Sequence, residues 1–429
     1  MKSILQTYLS RQTTSWLTQA YPVSSRLGMG VVIPCYNEPD LLACLRCLAK
    51  AEKPACDVEV LVVVNAPVDA SPEAIAQNKK TLEEVSALAK EVNNEHFRIW
   101  FLDKILDSGK YAGVGLARRI GMDEMVYRFA SIGNEKGLII SLDADCRVDA
   151  NYFTALEKEL YTNKKAIAAT MDFEHPLPDA GVEPVLRNAM IQYELYLRYY
   201  KHSLKYTGFP YAYYTIGSDF AVKADTYCRA GGMGKYQGGE DFYFLQKVFP
   251  LGKIVEIHTT KVYPAARLSD RVPFGTGPSL IKLVGEDRNI KMTYPWKAFQ
   301  WLCVFIEERE KWFKLPAEEI TRMWRKTGRE SGDGFETLPV SFLSFLKENR
   351  FAEVIEELGN NCASVEIFSR RFFDCFNALR VLQLLNALQE IYPLQPVSQE
   401  TAYLLKEVYG VEVSADDPFY LLSRMKQYY

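Results

Sequence analysis

Six short apolar runs, separated by stretches of helical period, govern what this chain can become. They are V-V-I-P (Val31 to Pro34), V-E-V-L-V-V-V-N (Val58 to Asn65), F-R-I-W-F-L-D (Phe97 to Asp103), L-I-I-S-L-D (Leu138 to Asp143), A-I-A-A-T-M-D-F (Ala166 to Phe173) and K-I-V-E-I-H (Lys253 to His258). A strand with one wet face alternates apolar and polar side chains. Runs that are apolar almost throughout need cover on both faces, and helices between parallel strands supply it. The expectation is an α/β domain with a mainly parallel central sheet flanked by helices. In such sheets ligands lie outside the carboxyl ends of the strands. Pro34, Asn37, Asn65, Asp103, Asp143 and Asp145 fall at or just past those ends, which describes one pocket mouth.

Beyond about Tyr294 the pattern changes. Pro295 is placed to open a helix through W-K-A-F-Q-W-L-C-V-F-I-E, and helical segments follow at Val340 to Lys347, Val365 to Ile391 and Glu400 to Val408, punctuated by the loop Thr327 to Phe335. A chain of 429 residues exceeds one ordinary core. The expected organisation is an N-terminal helical extension over residues 1–28, the α/β domain over 29–285 and a C-terminal all-helical region over 286–429.

The net charge is −3, without a basic tail or run, which argues against nucleic acid as a partner. Cys44 and Cys47 make the one CxxC among nine cysteines, but it falls in an apolar helical pattern with no second pair or nearby His. Reduced thiols are expected there rather than zinc. The first twenty residues lack a continuous apolar core of the signal-peptide kind. The longest tempting apolar run, Trp301 to Ile306, is far short of the ~18 residues that a membrane span needs. These features lead to the expectation of a cytoplasmic protein.

Four ordered stretches carry chemistry: V-V-I-P-C-Y-N-E-P-D, then S-L-D-A-D, then Y-T-I-G-S-D-F-A-V-K from Tyr214, then G-G-M-G-K-Y-Q-G-G-E-D-F from Gly231. Pro39 suits the first turn of a helix with Leu41, Leu42, Leu45 and Leu48 on its apolar positions. Asp143 and Asp145 would share one side of a strand, since residues two apart point the same way. They mark either a solvated strand end or a cation site. Glu240 and Asp241 open a helix whose dipole favours acids; a positioned carboxylate can equally draw a proton from a hydroxyl. An arginine fork pairs well with phosphate oxygens, and Arg118 and Arg119 lie side by side.

In these stretches the chain resembles the family 2 glycosyltransferases, over roughly residues 28 to 265. The resemblance implies a GT-A fold, a nucleotide-diphosphate sugar donor, and a carbohydrate or lipid-linked sugar acceptor. It also implies Mn²⁺ or Mg²⁺ and, usually, inversion. By that resemblance Pro34, Asn37, Glu38, Asn65, Arg118, Arg119, Asp143, Ala144 and Asp145 line the donor site. Asn65 falls where the family commonly has Asp, and Arg119 where it has Asn. Asp145 is the implied metal ligand; His258, which ends an apolar strand, either completes the metal shell, as a His of this region does in some GT-A enzymes, or is structural. Asp241 is the implied base, with Glu240 beside it. Gly217, Ser218, Asp219 and Gly239 fall near the acceptor and donor sugar. Arg267 and Arg271 lie in a glycine-bearing segment that composition alone makes either a lid or a connection. No transmembrane segment is found, so a lipid-linked acceptor implies peripheral membrane contact. Two other readings stand beside this one. A sugar-phosphate nucleotidyltransferase would want a glycine-rich, Arg-bearing loop after the first strand, where this chain has C-Y-N-E. A non-catalytic nucleotide-sugar-binding or scaffold protein derived from a transferase fits the changes at Asn65 and Arg119.

Overall fold

The computed structural model describes residues 2–12, 22–107, 109, 111–273, 275–286, 289–331 and 334–428. Of the segments singled out above, Met1 and residues 13–21 of the extension, Lys110, Phe274 and residues 332–333 lie outside the described residues.

Eight strands form one sheet: β1 (Leu27–Cys35), β2 (Asp57–Pro67), β3 (Phe97–Leu106), β4 (Leu138–Ser141), β5 (Arg147–Val148), β6 (Ala166–Phe173), β7 (Phe220–Lys223) and β8 (Lys253–Tyr263), in the order β3-β2-β1-β4-β7-β6-β8-β5. From β3 to β4 all neighbours are parallel, as are β6 and β8. β7 runs antiparallel to both β4 and β6, and β5 antiparallel to β8. All nine residues of β1 and ten of the eleven in β2 are buried, as strands covered on both faces must be. This is the mainly parallel, helix-flanked sheet that the apolar runs call for. β5 and β7 are too short to announce themselves by periodicity.

The helix Val114–Ser131 is buried almost all round, and it lies hard against β1. A Cβ on Gly121 would stand 2.4 Å from Val32 Cγ1, and one on Gly30 would stand 2.3 Å from Met125 Sδ. Only glycine permits so close an approach, and it brings Arg118 to the ends of the strands. The helix Leu41–Lys50 buries Leu41, Cys44, Leu45 and Leu48. Its N-cap is Asp40, so Pro39 stands just before the cap and not in the first turn.

The chain divides into two compact units, Met1–Leu186 with Tyr213–Lys282, and Arg187–Ala212 with Leu283–Tyr429. The first holds the sheet. The second is helical, and its aromatic core gathers Trp312, Trp324, Phe342, Phe351, Phe372 and Phe376 about Phe305. It also carries two small antiparallel strand pairs, Gly328–Ser331 with Gly334–Thr337 and Met292–Thr293 with Gln395–Pro396. The segment read above as a punctuating loop is therefore a hairpin. The stretch Val365 to Ile391 is two helices, Val365–Cys375 and Ala378–Ala387, because Asn377 accepts the N–H groups of Leu379 and Arg380 and starts the second. Among the described residues no helix is long and apolar enough to cross a membrane.

Candidate active site

Arg118 organises the mouth of the sheet. Its side chain is 3 % exposed. Nε donates to Glu240 Oε1 at 3.1 Å, Nη1 to Ser141 Oγ at 2.6 Å and Gly217 O at 3.0 Å, and Nη2 to Asp143 Oδ1 at 2.8 Å. Ser141, the last residue of β4, donates its own hydroxyl proton to Gly217 O at 2.6 Å. Burial by itself disfavours the guanidinium charge. Asp143 and Glu240, with Asp241 nearby, more than reverse this and raise the arginine's pKa. A buried cation with this many acceptors is a fixed post around which carboxylates can be arranged.

Asp241 joins that group from the helix Glu240–Val248, whose N-cap Gly239 has φ 71°, a left-handed conformation suited to glycine. Asp241 Oδ1 accepts the Phe242 N–H at 2.7 Å. A Cβ on Gly217 would lie 3.2 Å from Asp241 Oδ2 and 2.8 Å from Arg118 Nη2. Gly217 therefore floors the gap between them. Burial, then repulsion from Glu240, pushes the Asp241 carboxyl up to about 7, against the pull of Arg118. A carboxyl poised there is matched to proton transfer near neutrality.

The triplet Asp143-Ala144-Asp145 lies past the end of β4, in the turn before β5. Strand alternation does not apply to it, and its two acids meet different cations. Asp143 pairs with Arg118, while Asp145 Oδ2 accepts from Arg267 Nη2 at 3.0 Å. Arg267 Nη1 also donates to Glu38 Oε1 at 3.1 Å and Asp40 Oδ2 at 3.3 Å, and Nη2 bonds Glu38 Oε2. Arg271 Nη1 adds bonds to Glu38 Oε2 at 2.8 Å and to Asn37 O at 3.0 Å. The two arginines thus fasten residues 267–271 to the end of β1. Burial raises the Glu38 pKa, but bonds from Arg267, from the Asp40 N–H and from Arg271 outweigh it, and the carboxylate titrates below its ordinary range. Asp145 goes the other way, raised by burial and by Asp143 despite Arg267.

Asn37 takes the left-handed backbone, φ 49°. Its N–H donates to Asn78 Oδ1 at 2.9 Å, and Asn78 Nδ2 donates to Asn65 O at 2.9 Å. The Asn37 turn is thereby tied to Asn65, buried within β2, while Pro34 lies in β1 opposite Val63. Three residues of this site escaped the sequence reading. Asp40 stood in the quoted N-E-P-D, and Ser141 was the one polar residue of an apolar run. Asn78, inside a long polar helix, gave no signal.

Several expected site residues are not gathered here. Arg119 turns away to Met233 O, at 2.6 Å from Nη1, and to Asp123. Ser218 and Asp219 are buried at the entry to β7, where Asp219 O accepts the Met171 N–H at 2.7 Å. His258 is half-buried in the bulged stretch of β8, where the register with β6 shifts. Among the described residues, no three His, Cys, Asp or Glu side chains form a ready metal cage. Asp143 and Asp145, with side chains 38 % and 22 % exposed, nevertheless fit a hard cation. Mg²⁺ and Mn²⁺ accept one or two carboxylates and complete their shells with water and phosphate.

Residues 30–215 match the model of glycosyl transferase family 2. No curated protein sequence matches the chain. Among solved structures, TarS 1-349 of S. aureus in complex with UDP-GlcNAc is similar at 12 % identity and TM-score 0.39, over 81 % of this chain and 91 % of that one. A mannosyltransferase from Pyrobaculum calidifontis, in complex with GDP-Man and Mn²⁺, is similar at 13 % identity and TM-score 0.35, over 99 % of this chain and 92 % of that one.

Proposed function

On the premise that residues 30–215 form a glycosyl transferase family 2 domain, and that the chain is a glycosyltransferase, we propose that it moves a sugar from a nucleotide-diphosphate donor to an acceptor hydroxyl. The transfer is a metal-dependent, single displacement with inversion. One observation carries this reading. The carboxyl of Asp241, pushed up to about 7, and the D-A-D turn meet at one buried guanidinium, that of Arg118. A base and a diphosphate-cation site then share one cleft.

Asp145, with Asp143 beside it, would hold Mn²⁺ or Mg²⁺, which supplies Lewis-acid neutralisation of the departing diphosphate. The chain's own groups do the rest. Asn37, Glu38 and Asn65 line the nucleotide end, and Arg267 and Arg271 turn from Glu38 toward the diphosphate when it arrives. Asp241 takes the proton of the acceptor hydroxyl. That oxygen bonds to the anomeric carbon as the bond from that carbon to the diphosphate oxygen breaks, its electron pair leaving with the diphosphate. Arg118 fixes the distance between the two acids, and Gly217 leaves room between them.

Turnover of uridine- and guanosine-diphosphate sugars with Mn²⁺ tests the reading. Transfer or slow donor hydrolysis should be lost in Asp145→Ala and Asp241→Asn while both variants keep the far-UV spectrum of the parent. A thermal-shift screen of the diphosphates, which raise the melting temperature if they bind the native state, identifies the base. Full activity in Asp145→Ala would refute the metal site. Full activity in Asp241→Asn would refute the catalytic carboxylate.

A further inference from the structure

We propose that Arg119 is a positioning residue. It anchors the start of the loop Met233–Gly239, so that Asp241, just past the loop's end, faces the acceptor. This rests on the reading of Asp241 as the base. It differs from the expectation that Arg119 touches the donor.

Successive residues of a helix point about 100° apart, and the two arginines part company accordingly. Arg118 reaches the end of the loop at Glu240, and Arg119 reaches its beginning at Met233 O, 2.6 Å from Nη1. Between these ends the loop rests on the same helix. A Cβ on Gly115 would stand 2.1 Å from Tyr236 O, and Gln237 Nε2 donates to Gly109 O at 3.0 Å and to Ala112 O at 3.2 Å. The segment that delivers Asp241 is therefore fastened at its start and end to one buried helix, and in its middle to that helix's first turn and to the residues just before it.

Arg119 is itself held in place. Nε pairs with Asp123 Oδ2 at 3.4 Å, one helical turn on, and Nη2 lies 3.2 Å from Gln12 Oε1 and 3.5 Å from Tyr8 Oη. Asp123 Oδ1 in turn accepts from Tyr8 Oη at 2.7 Å and Tyr227 Oη at 2.8 Å. Tyr8 belongs to the short helix Ile4–Leu9, which Ser3 and Gln6 cap reciprocally. The N-terminal segment thus acts on the catalytic loop through Arg119. A planar, many-pronged cation can bridge a carboxylate and a carbonyl in fixed geometry, and a lysine cannot.

Arg119→Met and Arg119→Lys in the full chain test this, beside Asp241→Asn. The measurements are kcat and KM for the donor, the pH profile of kcat, and UDP or GDP titration with Mn²⁺, whichever binds the parent more tightly. The titration also counts folded sites. The expected result is a kcat at least tenfold lower per folded site, with donor KM and diphosphate affinity within twofold of the parent. The acid limb of kcat should move to lower pH as water reaches Asp241 and weakens the hold of Glu240, Asp143 and Arg118 on it. A tenfold loss of diphosphate affinity with unchanged kcat would make Arg119 a donor ligand and overturn the proposal. So would a loss of activity that merely follows the count of folded sites with the acid limb unmoved. An active Asp241→Asn would fell the base reading and this inference together. An inactive Asp241→Asn beside Arg119 variants of unchanged kcat would fell this inference alone.

Discussion

Replacing Asp241 by Asn should make the protein clearly more stable at pH 8, less so at pH 5, and no more stable below about pH 4. Asp143, Glu240 and Asp241 crowd around one guanidinium. The Asp241 carboxyl is carried from its ordinary 3.8 to about 7 on folding. A group whose pKa is raised in the folded state favours folding while it stays protonated, and that contribution fades as pH rises through the folded value. Stability linked to Asp241 is therefore complete below about pH 4 and lost between there and about 7. At about 1.36 kcal/mol per decade the interval amounts to about 4 kcal/mol. The partly exposed position of the residue reduces this to a working figure of about 2 kcal/mol. The amide removes the ionisation and keeps an oxygen for the Phe242 N–H. Thermal melts across pH 4 to 8 should show the Asp241→Asn variant level with the parent near pH 4 and gaining steadily with pH, at roughly 2–4 °C per kcal/mol, to on the order of 4–8 °C at pH 8. The same variant should lose roughly 10²- to 10⁴-fold in kcat. A melting difference that does not change with pH, or a variant less stable at pH 8, would refute the picture of a carboxyl kept against its preference for charge.

Arg118→Met strands Asp143, Glu240 and Asp241 without their cation, and should cost about 3–5 kcal/mol by denaturant titration at pH 8, with a smaller loss at pH 5 where the stranded acids take up protons. Gly217→Ala places a methyl 2.8 Å from Arg118 Nη2 and 3.2 Å from Asp241 Oδ2, where the guanidinium is pinned and cannot easily yield. The expected result is a kcat lower by roughly 10- to 100-fold in a protein that still binds diphosphate. Arg267→Ala removes the cation that spans Glu38, Asp40 and Asp145. Mn²⁺ binding without nucleotide, followed by electron paramagnetic resonance, should tighten about fivefold, as expected for relief of about 1 kcal/mol of ion pairing at a partly exposed site.

The architecture was legible because long parallel strands declare themselves. Val58 to Asn65 has nowhere to go but a covered sheet. The four residues of β7 and the two of β5 carry no periodicity, so the reversal of direction in mid-sheet was not readable. The D-A-D triplet misled in its geometry. Alternation would set its acids on one side of a strand, whereas the chain turns after Ser141 and hands each acid to a different arginine. Which of Arg118 and Arg119 enters the cleft depends on helical phase, and a dipeptide does not display phase. The meeting of Asp145 with Arg267, more than a hundred residues on, is a tertiary fact with no local signal. Asn377 shows the opposite case, a capping residue at the break between two helices that the apolar pattern ran together.

The backward course of β7 has a consequence for how such a chain can vary. Forward strands present their last residues at the cleft, but β7 presents its first, with Phe220 opposite both Ser141 and Thr170. Gly217 therefore arrives there at the close of whatever the chain does after β6. The exposed part of the excursion between them, residues 179–183, can change in length or sequence while the carbonyl that Arg118 grips keeps its address, whereas the helix Pro184–Tyr206 that follows is held by its buried face. Homologous insertions should accumulate in that exposed stretch, leaving the cluster of Ser141, Gly217 and Arg118 undisturbed.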